Sequence, residues 1–298
     1  MKRILHILLF SVILGLGSSA QQIEQYTQYF LNDYLINPAV AGSRDRIEFR
    51  GVNRYQWEGV TDAPRTFSLS VTSPLSDERI ALGMHVLTDI VGPTRRIGAQ
   101  GSFAYRIPMN DDLTMAVGIS VGLTEYSIDG DKITLQNPTD EALAGMVGRK
   151  RVMDAKAGIY LQHDDFYVGL SAPQVNQSNV DVFSETSAGQ SRLETHLIVH
   201  GGYLYDISEE FTLEPNVMLR FIDPAPVKLD FSLRVRYKDM IWLGGGLRTN
   251  DSFAAMLGLR WNNRLVVGYA HDFTTSDLSG YTNGTHEVML GFDLPHPK

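Results

Sequence analysis

The sequence predicts an all-β fold: a transmembrane antiparallel β-barrel of about fourteen strands, with short periplasmic turns and long external loops. Three observations predict it. Residues alternate with period two, most clearly between Phe211 and Tyr237. There Phe211, Leu213, Val217, Leu219 and Phe221 oppose Thr212, Glu214, Asn216 and Arg220, and Leu229, Phe231, Leu233 and Val235 oppose Asp230, Ser232, Arg234 and Arg236. The chain carries an export signal, yet no later apolar run reaches the roughly 20 residues of a spanning helix. Finally, the links between strands alternate in length, an asymmetry expected of a barrel with one rim on each side of a membrane.

Lys2 and Arg3, the apolar run Ile4 to Gly17 and the small residues Ser18-Ser19-Ala20 read as a signal peptide over 1–20. An exported chain without a spanning helix enters a membrane only as a closed set of strands, because lipid offers no partners to unpaired backbone groups. The absence of cysteine excludes disulfides and a cysteine-linked lipid anchor. With 26 Lys and Arg against 34 Asp and Glu the formal charge is -8, and no basic cluster interrupts the acidic average. Nucleic acid is excluded as a partner class.

Residues 21–46 show no alternation. Their tyrosines, Phe30 and amide side chains, with turns at Asn37-Pro38 and Gly42-Ser43, predict an N-terminal periplasmic or plug segment, too aromatic for a bare tail. The barrel is expected over 47–298. Its strands begin with Ile47 to Glu58, then Phe67 to Thr72, Ile80 to Val86, Ile97 to Ile107 and Leu113 to Leu123. Weaker runs cover Met153 to His163 and Phe166 to Ala172, and a long one Arg192 to Asp206. After the pair 211–237 come strands around Leu243, Leu257, Val267 and Leu290. Short polar turns are expected near Asp77, Asp111, Asp164, Glu209, Asp239 and Asn262. Longer links are expected at Val60 to Ala63, Thr88 to Arg95, Ser127 to Val152, Pro173 to Ser191, Ile222 to Pro226 and Thr274 to Gly284, the short link near Asn250 breaking the rule. Both termini then fall on the periplasmic side. Tyr55, Trp57, Tyr105, Tyr203, Tyr205, Tyr237, Trp261 and Tyr269 stand near strand ends, as aromatic girdles do.

No constellation demands catalysis, a metal or a cofactor. Gly118-Ile119-Ser120-Val121-Gly122 matches a nucleophile elbow, but it lies inside an alternating strand with no helix after it. Its glycines make room on the lumen face. His196 and His200 share a face with Glu194, yet four strand residues separate the rings by roughly 13 Å, too far to share an ion. Gly244-Gly245-Gly246 leads into no helix and is no phosphate loop. Arg220, Arg234, Arg236, Arg248 and Arg260 form a basic lumen stripe. With Glu214 and Asp230 on the same face, it reads first as an internal salt-bridge network and second as an anion path.

The stretches Gln25-Tyr-Thr-Gln-Tyr-Phe-Leu-Asn32, Ile36-Asn-Pro-Ala-Val-Ala-Gly-Ser43, Arg54-Tyr-Gln-Trp57, Ala63-Pro-Arg-Thr66 and Leu82-Gly-Met-His-Val-Leu-Thr-Asp89 resemble the opening signature of the PorP/SprF family of type IX secretion system membrane proteins. The match is specific over Gln25 to Gly92, with Asp62 where glycine is expected before Ala63-Pro64. The resemblance implies a non-enzymatic outer-membrane component of an export machine. Such a component is needed for secretion or surface anchoring of particular large substrates or adhesins, gliding-related among them. Its implied partners are the exported surface protein, other periplasmic or lipoprotein components of the machine, and outer-membrane lipid. On this resemblance Tyr29, Phe30, Asn32, Asn37, Pro38, Gly42, Arg54, Gln56, Trp57 and Pro64 are candidate partner-binding residues. The other readings are a porin-like diffusion channel or transporter and an outer-membrane hydrolase using Ser120 or a histidine.

Overall fold

A computed structural model describes residues 23–76, 79–133, 148–180, 193–223 and 225–296. The expected signal peptide, the acidic pair 77–78 of one turn, and the centres of the two longest links lie outside the described residues. The strand segments are β1 Arg46–Tyr55, β2 Arg65–Pro74, β3 Ile80–Val91, β4 Thr94–Pro108, β5 Leu113–Ile128, β6 Arg149–His163, β7 Phe166–Pro173, β8 Leu197–Tyr203, β9 Tyr205–Asp206, β10 Phe211–Ile222, β11 Ala225–Tyr237, β12 Ile241–Arg248, β13 Ser252–Trp261, β14 Leu265–Thr274 and β15 Thr285–Pro295. Segments β8 and β9 are one strand broken at Leu204, since both pair with β10. At the break the Leu204 N–H turns to Asp165 O in the adjoining turn, at 2.6 Å.

The result is a closed barrel of 14 antiparallel strands. The seam joins the two ends of the chain, β1 to β15, from Arg46↔Pro295 to Tyr55↔His286. Closure removes the edge strands that an open sheet would expose. The apolar phase of each strand points outward: Phe67, Leu69, Leu82, Met84, Ile119, Leu123, Leu243, Leu257 and Leu290 are exposed large hydrophobics. The polar phase is buried, with Arg50, Arg54, Ser68, Ser102, Glu214 and Arg234 facing the lumen. This inversion is what lipid outside and a polar lumen inside require.

Strands β4, β5 and β6 run to 15, 16 and 15 residues, longer than the roughly 9 to 11 that a tilted span needs. The long links 56–64, 129–148, 174–196 and 275–284 all lie on one rim. The short turns 75–79, 109–112, 164–165, 207–210, 238–240 and 262–264 lie on the other, together with both ends of the barrel. Several sequence boundaries need correction. The links expected at Thr88–Arg95 and Ile222–Pro226 are only residues 92–93 and 223–224. In the first, Asp89 and Arg96 are polar because they face the lumen, and Gly92 at φ 56° makes the tight turn. Strand β1 stops at Tyr55, short of Glu58, because Trp57 takes a left-handed φ of 49°. The run expected from Arg192 begins as a strand only at Leu197. Asp62, standing where glycine is expected, has φ 58°, a region Asp tolerates better than most residues.

The apolar core of the molecule lies inside this ring. Tyr26, Tyr29, Phe30, Leu31, Leu35 and Ile36 of the described N-terminal segment 23–45, the leader, pack against Val52, Met218, Trp242, Met256, Val266 and Met289 of the wall. Tyr34, Ala39, Val40 and Ala41 pack against Ala81, Ala104, Ala116 and Tyr160.

Candidate functional site: the filled lumen

The leader crosses the lumen as three short 3-10 turns, Tyr29–Leu31, Asp33–Leu35 and Pro38–Val40. Asn37 starts the last turn: its side chain accepts from Ala39 N at 3.0 Å, and Pro38 occupies the first helical position, where a missing N–H costs nothing. The wall beneath this turn is a row of small residues in one register, Ala81, Ala104, Gly118, Gly158 and Ser171. Glycine is required at two of them. A Cβ on Gly118 would overlap Pro38 and Ala39, and one on Gly158 would overlap Asn37 Oδ1. Asn37 also donates to Ile159 O at 2.9 Å, and Lys156 Nζ donates to Leu35 O at 2.5 Å.

Two ionic clusters that straddle the β1–β15 seam fasten the leader, beside separate pairs of Glu24 with Arg96 and Asp45 with Arg106 on β4. Toward the long-loop rim, Arg54 donates to Asp272 at 2.6 Å, to Glu287 at 2.9 Å and to Thr27 Oγ1 at 2.7 Å. The backbone N–H groups of Thr27 and Gln28 each donate to Glu287 at 2.8 Å. Near the short-turn rim, Arg44 pairs with Asp33 at 2.9 Å and Glu48 at 3.2 Å. Arg50 pairs with Glu48 and Asp293, both at 2.5 Å. Burial works against the Arg44 charge, yet the Asp33 and Glu48 carboxylates beside it hold its pKa well above the ordinary value. Burial pushes the Tyr34 phenol up to about 12; its hydroxyl lies 2.6 Å from Ser102 Oγ. Tyr26 and Tyr29 are likewise raised by burial.

The arginine stripe resolves into pairs. Arg220 meets Asp230 at 2.6 Å and Arg248 meets the same carboxylate at 2.9 Å. Arg234 meets Glu214 at 2.5 Å, and Arg236 lies 3.4 Å from Glu214 and 2.7 Å from Asp239. Arg260 shares Asp293 with Arg46 and Arg50. Below the leader, a vestibule of about 400 Å³ opens among Arg44, Arg236, Arg260, Glu214 and Asp239.

Of the residues singled out by sequence, Tyr29, Phe30, Asn32, Asn37, Pro38, Gly42 and Arg54 are buried between leader and wall. In this conformation they hold the leader to the barrel, Phe30 lying under the Arg234 guanidinium at 4.6 Å and Asn32 on Ser70 at 3.0 Å. Gln56, Trp57 and Pro64 are half-buried on the long-loop rim, where Gln56 N donates to Pro64 O at 2.9 Å. Sequence reasoning missed Thr27, Asp33, Glu48, Lys156, Asp272, Glu287 and Asp293. For Glu48, Lys156, Asp272, Glu287 and Asp293 the lumen-facing phase in the alternation was the available signal; Thr27 and Asp33 lie in the leader, which has no alternation to read.

The constellations weighed for chemistry are occupied with packing. The Ser120 hydroxyl donates to Gln100 Oε1 at 3.2 Å. His200 stacks on Tyr160 and lies 3.3 Å from Asn37 Nδ2. Gly244, Gly245 and Gly246 sit within β12. Among the described residues, no group of three or more His, Cys, Asp or Glu is placed to hold a metal ion.

Solved structures share the fold. The toluene transporter TbuX of Ralstonia pickettii matches with a TM-score of 0.53 at 11% identity, covering 93% of this chain and 95% of that one. The monoaromatic hydrocarbon channel TodX, as a deltaS2S3 mutant, also gives 0.53, at 9% identity over 89% and 94%. Omp33 of Acinetobacter baumannii gives 0.50 at 9% identity over 84% and 98%. At such identities these neighbours describe the barrel alone. No curated protein matches the sequence. The family model for the type IX secretion system membrane protein PorP/SprF matches residues 18–292, and the chain belongs to that family.

Proposed function

We propose that this outer-membrane barrel is a sealed, non-enzymatic component of the type IX secretion system that secretes or anchors a particular class of large surface protein or adhesin. The observation that carries the reading is the leader pinned across the lumen by the Arg54–Asp272–Glu287 and Arg44–Glu48–Arg50–Asp293 clusters. A barrel so filled works through its rims. On this reading both termini and the vestibule face the periplasm and meet the periplasmic or lipoprotein components of the machine. The links 129–148 and 174–196, with Gln56, Trp57 and Pro64, face outward and contact the exported protein. Loops of that length are usually functional or disordered. Residues 21–46 act as plug, and 1–20 direct export.

The test is deletion of the gene in its native cell. The general export machine should keep working while one class of surface protein disappears; unchanged display of every substrate sinks the proposal. The second reading, a diffusion channel, draws on the transporter neighbours. Reconstituted wild-type protein that conducts ions with the leader in place would favour it.

A further inference from the structure

The outer wall carries charge at one level on one side. Arg65 on β2, Arg95 on β4 and Arg149 on β6 fall in a single register row, through Arg65↔Ile90, Ile90↔Arg95, Arg95↔Ser127 and Ser127↔Arg149. All three are exposed. They share the outward face with Phe67, Ile97 and Met153, which are 49%, 41% and 59% exposed. Alternate strands set neighbouring guanidiniums roughly 10 Å apart. Among the described residues none of the three forms a salt bridge, whereas Arg151, two residues nearer the middle of the barrel, pairs with Glu125 at 2.6 Å, and the same carboxylate is within electrostatic reach of Arg149. Arg65 lies instead over the Tyr55 ring, at 4.7 Å.

The level of the row matters. On β4 the same outward face runs from Arg95 through Ile97 and Phe103 to Tyr105, ten residues away. Ten tilted strand residues span roughly 25 Å, the height of a barrel's lipid-facing apolar band. If Tyr105 marks one interface, Arg95 stands at the headgroup level of the other. The short-turn rim carries Tyr105, Tyr203, Tyr237 and Trp261 on its outer face. The long-loop rim of β2 to β6 carries arginines in their place.

We propose that Arg65, Arg95 and Arg149 bind the phosphate groups of a phosphorylated glycolipid of the lipid A class in the leaflet at the long-loop rim. A guanidinium fork matches phosphate oxygens bidentately. The row can engage two phosphates on one headgroup while the acyl chains lie on Phe67, Ile97, Phe103 and Val121. The inference rests on the orientation given under the proposed function and is independent of any secretion role.

The purified barrel in detergent is titrated with diphosphorylated lipid A, with phosphatidylglycerol and with inorganic phosphate, bound lipid being read by native mass spectrometry. The parent should bind lipid A in preference to phosphatidylglycerol. The combined variant Arg65→Gln, Arg95→Gln, Arg149→Gln should bind it at least tenfold more weakly while still migrating as a folded, heat-modifiable barrel. Arg95→Gln alone should show a smaller loss, and the lumen variant Arg260→Gln should bind like the parent. Undiminished binding by the combined and single variants overturns the proposal. So does equal binding of phosphatidylglycerol, or full competition by inorganic phosphate at matched concentration, which would mark an ion site and no headgroup site.

Discussion

Arg54 and Glu287 are direct register partners across the β1–β15 seam, and their side chains meet at 2.9 Å with 1% exposure each. Glu287 also accepts the Thr27 and Gln28 backbone N–H groups, so one carboxylate holds wall to wall and wall to leader. Removing one member of a buried ion pair strands the other charge, at a cost of about 3 to 5 kcal/mol. Arg54→Ala should therefore loosen the leader while the barrel stays closed. Residues 23–45 should become protease-sensitive and reconstituted protein should begin to conduct. A variant as sealed and resistant as the parent would refute this.

The seat of the third turn gives a steric counterpart. Gly158→Leu places a side chain where Asn37 Oδ1 lies, so the Asn37 side chain that starts the third turn must leave its seat. The leader should be displaced, with conductance and protease sensitivity as for Arg54→Ala. The outward Ala157→Leu, one residue away, should leave both unchanged.

Asp293 is shared by Arg46, Arg50 and Arg260. Arg260 is 24% exposed, and two arginines still serve the carboxylate without it, so Arg260→Gln should cost no more than about 1 kcal/mol. Asp293→Asn leaves three guanidiniums around a neutral amide and should cost about 3 to 5 kcal/mol. Urea unfolding in lipid vesicles distinguishes the two; equal losses would contradict the shared-carboxylate geometry.

Alkaline pH should weaken the leader in a defined window. The Tyr34 phenol is raised by burial from 10.0 to about 12, so the folded state favours its neutral form. Its contribution is complete below pH 10 and is lost as pH rises toward about 12. Tyr34→Phe should flatten part of this fall in leader protection, the rest belonging to Tyr26 and Tyr29. An unaltered pH profile in Tyr34→Phe would count against it.

Ser120→Ala deletes a hydroxyl whose bond is to Gln100, and a net loss of about 1 kcal/mol or less follows. Surface display should be unaffected, and any lipase, esterase or protease activity of the parent should persist. Activity abolished by this change would restore the hydrolase reading.

Alternation made the wall legible because lipid and a polar lumen impose opposite demands on successive residues. It failed where a polar residue signals lumen as readily as loop, as at Asp89 and Arg96. The leader's tyrosines and amides were visible as an ordered segment. Aromatic and amide side chains suit a plug and a docking surface equally, so composition alone left both open. Which wall groups receive the leader was hidden: Arg54 and Glu287 lie 233 residues apart in the chain, and no local pattern links them. The glycines of β5 were read as making room, but what fills the room at Gly118 became clear only with Pro38 and Ala39 in place.

Because both ionic clusters cross the seam, barrel closure and capture of the leader should be coupled as one late event in biogenesis. Strands β1 and β15 come from opposite ends of the chain, so their pairing has the longest loop to close and the slowest rate. A leader already collapsed onto β1 through Arg54 and Arg50 offers the incoming β15 a prepared site for Glu287 and Asp293. Residues 23–45 would thus act as a template for the last strand, and a chain deprived of them should linger as an unzipped sheet.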